Sequence, residues 1–263
     1  GSALTPAVTV KDGDTVIDPS EYSVSYSTNN VNVTTDTPVT VTITDKTGGN
    51  YDVSGTTTFT IVKAAPTYTA PQAKDLYYNM NVQALITAGS TSHGTLEYGT
   101  DGTNFTTSTT GLVGTEAKDY LIYYRIKGDA NHSDVGNVPN PPLTLTATIK
   151  PKPVSSPEIL ISPDVYNYDG TAKQPTVTVR DGGTVIPTSE YTVEYQDNVN
   201  AGSAKVVIKD NPKGNYDISG SASFTIIAQQ PGVTPPTPIS GLIYNAKQQN
   251  LIMVGTAVGG TME

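Results

Sequence analysis

Cysteine is absent, which removes disulfides, thiolate metal sites and cysteine nucleophiles together. Tryptophan is absent too, so any sugar-stacking platform would have to be built from tyrosine alone. Positive charge is scarce: 15 Lys and Arg face 24 Asp and Glu, a net charge of -9. Such a surface repels a phosphate backbone and offers no patch for anionic lipid, so nucleic acid and membrane surfaces are not expected partners. No apolar run approaches the roughly 18 residues of a membrane helix, and no charged segment followed by an apolar stretch opens the chain. No membrane insertion is expected within these residues. Gly1 in place of Met reads as the scar of a cleaved tag, and the sequence is expected to be a fragment of a longer precursor.

Thr, Val, Ser and Tyr dominate, good helix formers are thin, and 24 Gly and 19 Pro recur at short intervals as turn punctuation. This is an all-β composition, and 263 residues suffice for two or three domains.

A duplication organises the chain. Residues 6–61, beginning PAVTVKDGDTVIDPSEYSVSY, read onto residues 175–226, beginning PTVTVRDGGTVIPTSEYTVEY. The copies also end alike, GGNYDVSGTTTFTI against KGNYDISGSASFTI, and the first is four residues longer between Tyr26 and Ile43. This unit is module A. A second unit, module B, lies between the copies and starts again after them: LYYNMNVQALITAGSTSHGTLE (76–97) aligns without gaps onto LIYNAKQQNLIMVGTAVGGTME (242–263). The expected domains are therefore a first A module at 1–63, shortened at its N-terminus, and B at 64–150. A second A module follows at 151–228, with a proline-rich lead-in at 151–157. A proline-rich linker at 229–240 and a partial B at 241–263 complete the chain. Proline-rich joints of this kind are semi-rigid spacers.

Inside module A, Val177 and Val179, then Tyr191, Val193 and Tyr195, then Ala204, Val206 and Ile208, then Phe224 and Ile226 alternate with polar or small residues. Turn clusters at 181–183, 187–189 and 211–214 separate these runs, which implies a small antiparallel sandwich. In module B, GTDG between 95–98 and 104–107 predicts a tight hairpin, 120–126 a central strand, and 144–149 a closing strand. The missing counterpart of residues 165–174 in the first A copy predicts an open sheet edge there. The partial B is expected to be ordered as a strand added to an edge, in its own A module or in a neighbouring molecule.

The stretch VYNYDGTAKQPTVTV, followed by EYTVEY, GNYDISG and FTI, resembles the YDG or MBG-type repeat modules of large bacterial surface proteins. Module B, with YYN, GTLEYGTDGTNF and KDYLIYYRIKGDANHSD, looks like the partner repeat often found beside them. The resemblance covers nearly the whole chain and implies Ig-like scaffolds outside the cell; it implies no reaction.

No GxSxG elbow, HExxH or P-loop is present. His93 and His132 stand far apart in the sequence with no second ligand at metal spacing, so each reads as a surface histidine. Asp129, Asn131 and Asp134 in GDANHSD, and Asp12 with Asp14, offer oxygens for calcium, yet they lack the pattern of an EF-hand and read first as turn chemistry. Most tyrosines fall at strand core positions; Tyr77, Tyr78 and Tyr123 are the candidates for an exposed, sugar-stacking role.

The expectation is an all-β fold of tandem Ig-like antiparallel β-sandwich modules in an extended array. It acts without catalysis, metal or cofactor as a stalk or cell-adhesion protein on a bacterial surface. Its partners would be a host or bacterial surface protein or a glycan, and the chain itself a monomer apart from contacts made by its ends. The alternatives are a carbohydrate- or peptide-binding module, or the accessory region of a larger surface enzyme.

Overall fold

Alternation of branched apolar and polar residues dictates the second A module, because successive strand side chains face opposite sides. A computed structural model describes residues 1–137 and 139–258 of the chain. One sheet of this module runs Lys152–Val154, Tyr216–Ile227, Gly202–Asp210, Tyr191–Gln196, with Val165–Asn167 also on Tyr216–Ile227. The other consists of Glu158–Ser162, Thr176–Asp181 and Thr184–Val185. Val179, Ile186, Val206, Ile208, Ile218, Phe224 and Ile226 are buried in one core. Each such side chain contributes about 1.5–3 kcal/mol by leaving water. The module is a β-sandwich of the expected Ig-like type. Within the first sheet, Lys152–Val154 and Val165–Asn167 both pair parallel to Tyr216–Ile227, whereas the remaining pairs are antiparallel.

The motifs shared by the A copies have structural causes. The Tyr195 hydroxyl donates to Pro175 O at 2.8 Å, and Tyr26 donates to Pro6 O at the equivalent place. Glu190 Oε1 accepts from Asn215 Nδ2 at 3.2 Å, and Glu21 Oε1 from Asn50 Nδ2 at 3.3 Å. Thus the acidic residue before the tyrosine strand fixes the Gly-Asn-Tyr turn in both copies. Each carboxylate also accepts that asparagine's backbone N–H.

The first A copy forms Tyr22–Tyr26, Val39–Asp45 and Gly55–Phe59 as a sheet, with Lys11–Asp12 and Thr15–Val16 as a hairpin. The edge expected to be open is partly closed. Its longer loop brings Thr34 N–H to Ile61 O at 3.0 Å, and Thr34 Oγ1 accepts Ile61 N–H at 2.8 Å. On the opposite face the opening is real. Ile159 Cδ1 stands 2.8 Å from where a Cβ on Gly220 would lie, while the equivalent point on Gly55 meets nothing within 4 Å. A groove of about 310 Å³ lined by Val10, Ile43, Val53 and Gly55 occupies that place.

Module B is built on Thr95–Gly99, Lys118–Lys127 and Leu143–Lys150, with Lys118–Lys127 central as expected. The Asp101-Gly102 turn forms: Gly102 has φ +74°, and Tyr98 and Thr106 exchange backbone hydrogen bonds at 2.7 and 2.9 Å. The hairpin pieces Tyr68–Thr69 with Ser90–Thr91 and Gln72–Ala73 with Ile86–Thr87 complete it. Val138 lies outside the described residues.

The compact units do not follow the expected module limits one to one. The described chain divides into two compact units, Gly1–Leu76 with Met80–Ile149, and Tyr77–Asn79 with the chain from Lys150 onward. The first A module and B thus share a unit, and Tyr78, read as a candidate for exposure, packs edge-on against Tyr216 at 5.4 Å in the second unit. The lead-in at 151–157 is no free spacer either: Lys152–Val154 is a strand and Val154 is buried. Pro153 is tolerated there because a strand at a sheet's edge can spare a donor.

The expected pairing of the partial B with an A-module edge is also corrected. Gly232–Thr234 pairs with Thr256–Val258, and Thr237–Pro238 with Ile252–Met253, so the segment expected to be a linker is one arm of a hairpin. This repeats the opening hairpin of module B, down to positive φ at the matching Met80 and Ala246. What differs is cover: Leu85 and Ile86 are 2% and 5% exposed, their matches Leu251 and Ile252 68% and 53%. Residues 259–263, the last of the partial B, lie outside the described residues. Among the described residues no helix is long and apolar enough to cross a membrane.

Candidate metal site at a module junction

The loop 128–134 follows the central strand of module B, and its sequence GDANHSD folds back on itself through short polar side chains. Asp129 Oδ1 accepts Asn131 N–H at 2.8 Å, and Asp134 Oδ1 accepts Gly128 N–H at 2.8 Å. Asn137 Nδ2 donates to Asp134 Oδ2 at 3.1 Å. These are local turn bonds of the kind that Asp and Asn make readily. The oxygens considered for calcium are thereby turned to separate partners. Asp12 and Asp14 sit instead in the Lys11–Asp12 to Thr15–Val16 hairpin, where Gly13 takes φ +56°.

This loop grips the neighbouring A module. Val33 N–H donates to Asn131 Oδ1 at 2.8 Å, and Asn131 Nδ2 donates to Asn32 Oδ1 at 3.0 Å. Ala64 N–H donates to Asn131 O at 3.0 Å, and Ser133 N–H donates to Ala64 O at 2.8 Å. Ala64 and His132 form a parallel bridge, and Lys63 Nζ reaches Asp129 O at 3.1 Å. A cleft of about 240 Å³ lies against Val33, Ile61, Ala64, Asn131 and His132.

The same fold brings the two histidines together, contrary to their reading as separate surface residues. His93 and His132 stack with ring centroids 3.9 Å apart and planes 11° from parallel. Two glycines make this approach possible. A Cβ on Gly94, whose φ is +111°, would stand 2.2 Å from Lys127 O, and one on Gly128 2.2 Å from His132 O. Asp129 lies beside both rings, with Oδ1 2.7 Å from His132 Nδ1 and Oδ2 3.9 Å from His93 Nδ1. The hydrogen bond from His132, followed by that from Asn131 N–H, holds the Asp129 carboxyl below the usual carboxylate range. One ligand atom from each of the three residues lies within 4.8 Å of the others.

No protein-family model matches the sequence, and no curated protein does. Among solved structures, the chain is similar to one in the crystal structure of Dpr2 Ig1-Ig2 in complex with DIP-Theta Ig1-Ig3. The match has 11% identity and a TM-score of 0.29, and covers 83% of this chain and 87% of that one. A score of that size bears no functional inference.

The junction escaped sequence reading because its two halves lie in different modules. GDANHSD stood out as a polar loop, but nothing in Asn32, Val33, Lys63 or Ala64 marks them as its partners. The glycine in His93-Gly94 was the available signal that His93 sits at a close backbone approach. Of the tyrosines considered for sugar stacking, Tyr77 is exposed with Lys150 Nζ 5.3 Å from its ring centroid. Tyr123 is half-buried, its ring edge 3.2 Å from where a Cβ on Gly102 would lie. Tyr78 is partly buried against the second unit's core.

Proposed function

We propose that this chain belongs to a non-catalytic modular protein of the bacterial cell surface, where alternating A and B modules act as a stalk or adhesive array. The observation that carries this reading is the parallel pairing of two early strands of the second A module, Lys152–Val154 and Val165–Asn167, with its last strand, Tyr216–Ile227. Val165–Asn167 lies beside Thr225–Ile227 in parallel register, with Thr225 N–H donating to Asp164 O at 2.9 Å and Tyr168 N–H to Ile227 O at 2.8 Å. Tension along the chain pulls these strands in opposite directions on a shared axis. Their hydrogen bonds are then sheared together, whereas a hairpin pulled from its open end breaks them one by one. Such a module suits a protein that must hold while stretched.

The internal repeats, the hydrogen-bonded junction between the first A module and B, and the resemblance to YDG or MBG-type surface repeats support the same reading. Partners would be a surface protein or glycan of a host or of another bacterium, and the place of action outside the cell. Single-molecule stretching of the whole chain from its two ends tests it. The second A module should rupture as one step, at a higher force than the hairpins of module B. Tyr168→Pro, which removes one sheared bond, should lower that force. Rupture at a force no higher than the hairpins, unchanged by Tyr168→Pro, would contradict the reading.

A further inference from the structure

We infer that His93, Asp129 and His132 form a binding site for a divalent transition cation of the zinc type, placed to fasten the loop through which module B holds the first A module. The donor set decides the class. Two imidazole nitrogens and one carboxylate oxygen suit zinc and its neighbours, whereas calcium and magnesium require oxygen alone. Three protein ligands leave a fourth, outward position for water.

The geometry is close to what the ion needs. Ligand atoms about 2.0–2.2 Å from a tetrahedral zinc lie roughly 3.3 Å from one another, and here they already fall within 4.8 Å. As they stand, the stacked rings direct their in-plane lone pairs alongside each other, so one imidazole must swing outward to converge. His93 is the more exposed of the two and supplies that movement, while His132 is held by its backbone bridge to Ala64. Asp129 is aimed by Asn131 N–H, which donates to its Oδ1 at 2.8 Å. The opposing charge beside the site is Lys63, whose Nζ reaches the Asp129 carbonyl.

An ion held by Asp129 and His132 clamps both sides of Asn131, the residue that contacts Asn32 and Val33 of module A. The cation therefore stiffens a module junction, which goes beyond a scaffold made of protein contacts alone. Any cation that binds the folded state better than the unfolded one also raises its melting temperature.

The test uses the whole chain stripped with chelator, titrated with Zn2+ by calorimetry and with Co2+ by visible absorption. One equivalent should bind, with cobalt bands of a tetrahedral site. His93→Gln and His132→Gln should each lower affinity at least about tenfold, the loss seen even when only a ligand's supporting partner is removed. Zn2+ should raise the melting temperature of the parent chain more than that of His132→Gln at the same concentration; Ca2+ should raise neither. Because His93 is the more exposed of the two, His93→Gln is expected to keep the fold and suffices alone should His132→Gln unfold. No saturable Zn2+ binding below about millimolar, or equal binding by His93→Gln and the parent, would overturn the inference.

Discussion

Asn131 Oδ1, on the polar loop of module B, accepts the backbone N–H of Val33 in module A at 2.8 Å, although 98 residues separate the two. Its amide nitrogen meanwhile donates to the side chain of Asn32, so one residue ties two modules at both ends of its amide. Asn131→Ala should leave Val33 N–H without its partner in a partly buried place, at a cost of about 1–2 kcal/mol. The check is amide hydrogen exchange. Val33 should lose protection while amides of the second A module keep theirs.

The two A copies provide a matched pair of glycines. A methyl group on Gly220 would press against Ile159 Cδ1 and, at 3.1 Å, against Pro157 Cγ, whereas on Gly55 it would meet open groove. Gly220→Ala should therefore destabilise the second copy by about 1–2 kcal/mol through overpacking. Gly55→Ala should stabilise the first by about 0.5–1 kcal/mol, because alanine loses less backbone entropy in a strand. Thermal melts of the two variants check both signs. The parent first copy should melt below the second, since its groove stands where Ile159 covers the second copy.

Much of the fold was legible because repetition and alternation are local signals. The Tyr-x-Val-x-Tyr strands, the Asp101-Gly102 hairpin and the central strand with Ile122 all stand where period two and turn chemistry place them. Proline misled the reading of joints. Pro153 lies in an edge strand and Pro238 in a hairpin arm, both positions that need no donated ladder bond, so proline richness did not mean a spacer. The site was least legible. His93 and His132 meet only because Gly94 and Gly128 let two loops of module B approach, and no sequence spacing reports such an encounter.

Lys173 is buried, with its Nζ bonded to Asp169 Oδ1 and to Thr171 Oγ1, the latter at 3.0 Å. The ammonium beside it, with bonds from Thr171, holds the Asp169 carboxyl well below the usual carboxylate range. A carboxyl whose folded pKa is depressed stabilises the fold above its unfolded pKa, about 3.9, and that contribution is lost as pH falls through the lower folded value. Asp169→Asn should thus melt below the parent at pH 5–7, with the gap closing below about pH 3.9. Adding Lys173→Met should restore much of the loss, because no unpaired ammonium then remains buried.

The hairpin of 232–258 exposes Leu251, Ile252, Met253 and Val254, and the counterparts of the first two, Leu85 and Ile86, are buried in module B. An apolar face of this kind favours self-association. Sedimentation should show the chain associating as concentration rises, and Leu251→Ser with Ile252→Ser should hold it monomeric. Melting of the second A module should not change, since the hairpin pairs only with itself among the described strands.

Small-angle scattering of the monomeric variant tests the stalk most directly. A compact globule of this length has a radius of gyration of roughly 18 Å. Three modules strung along a line, each about ten strand residues or 33 Å long, would reach on the order of 100 Å. The account predicts a radius of gyration clearly above the compact value and a maximum dimension near that length. A value of roughly 18 Å would contradict it.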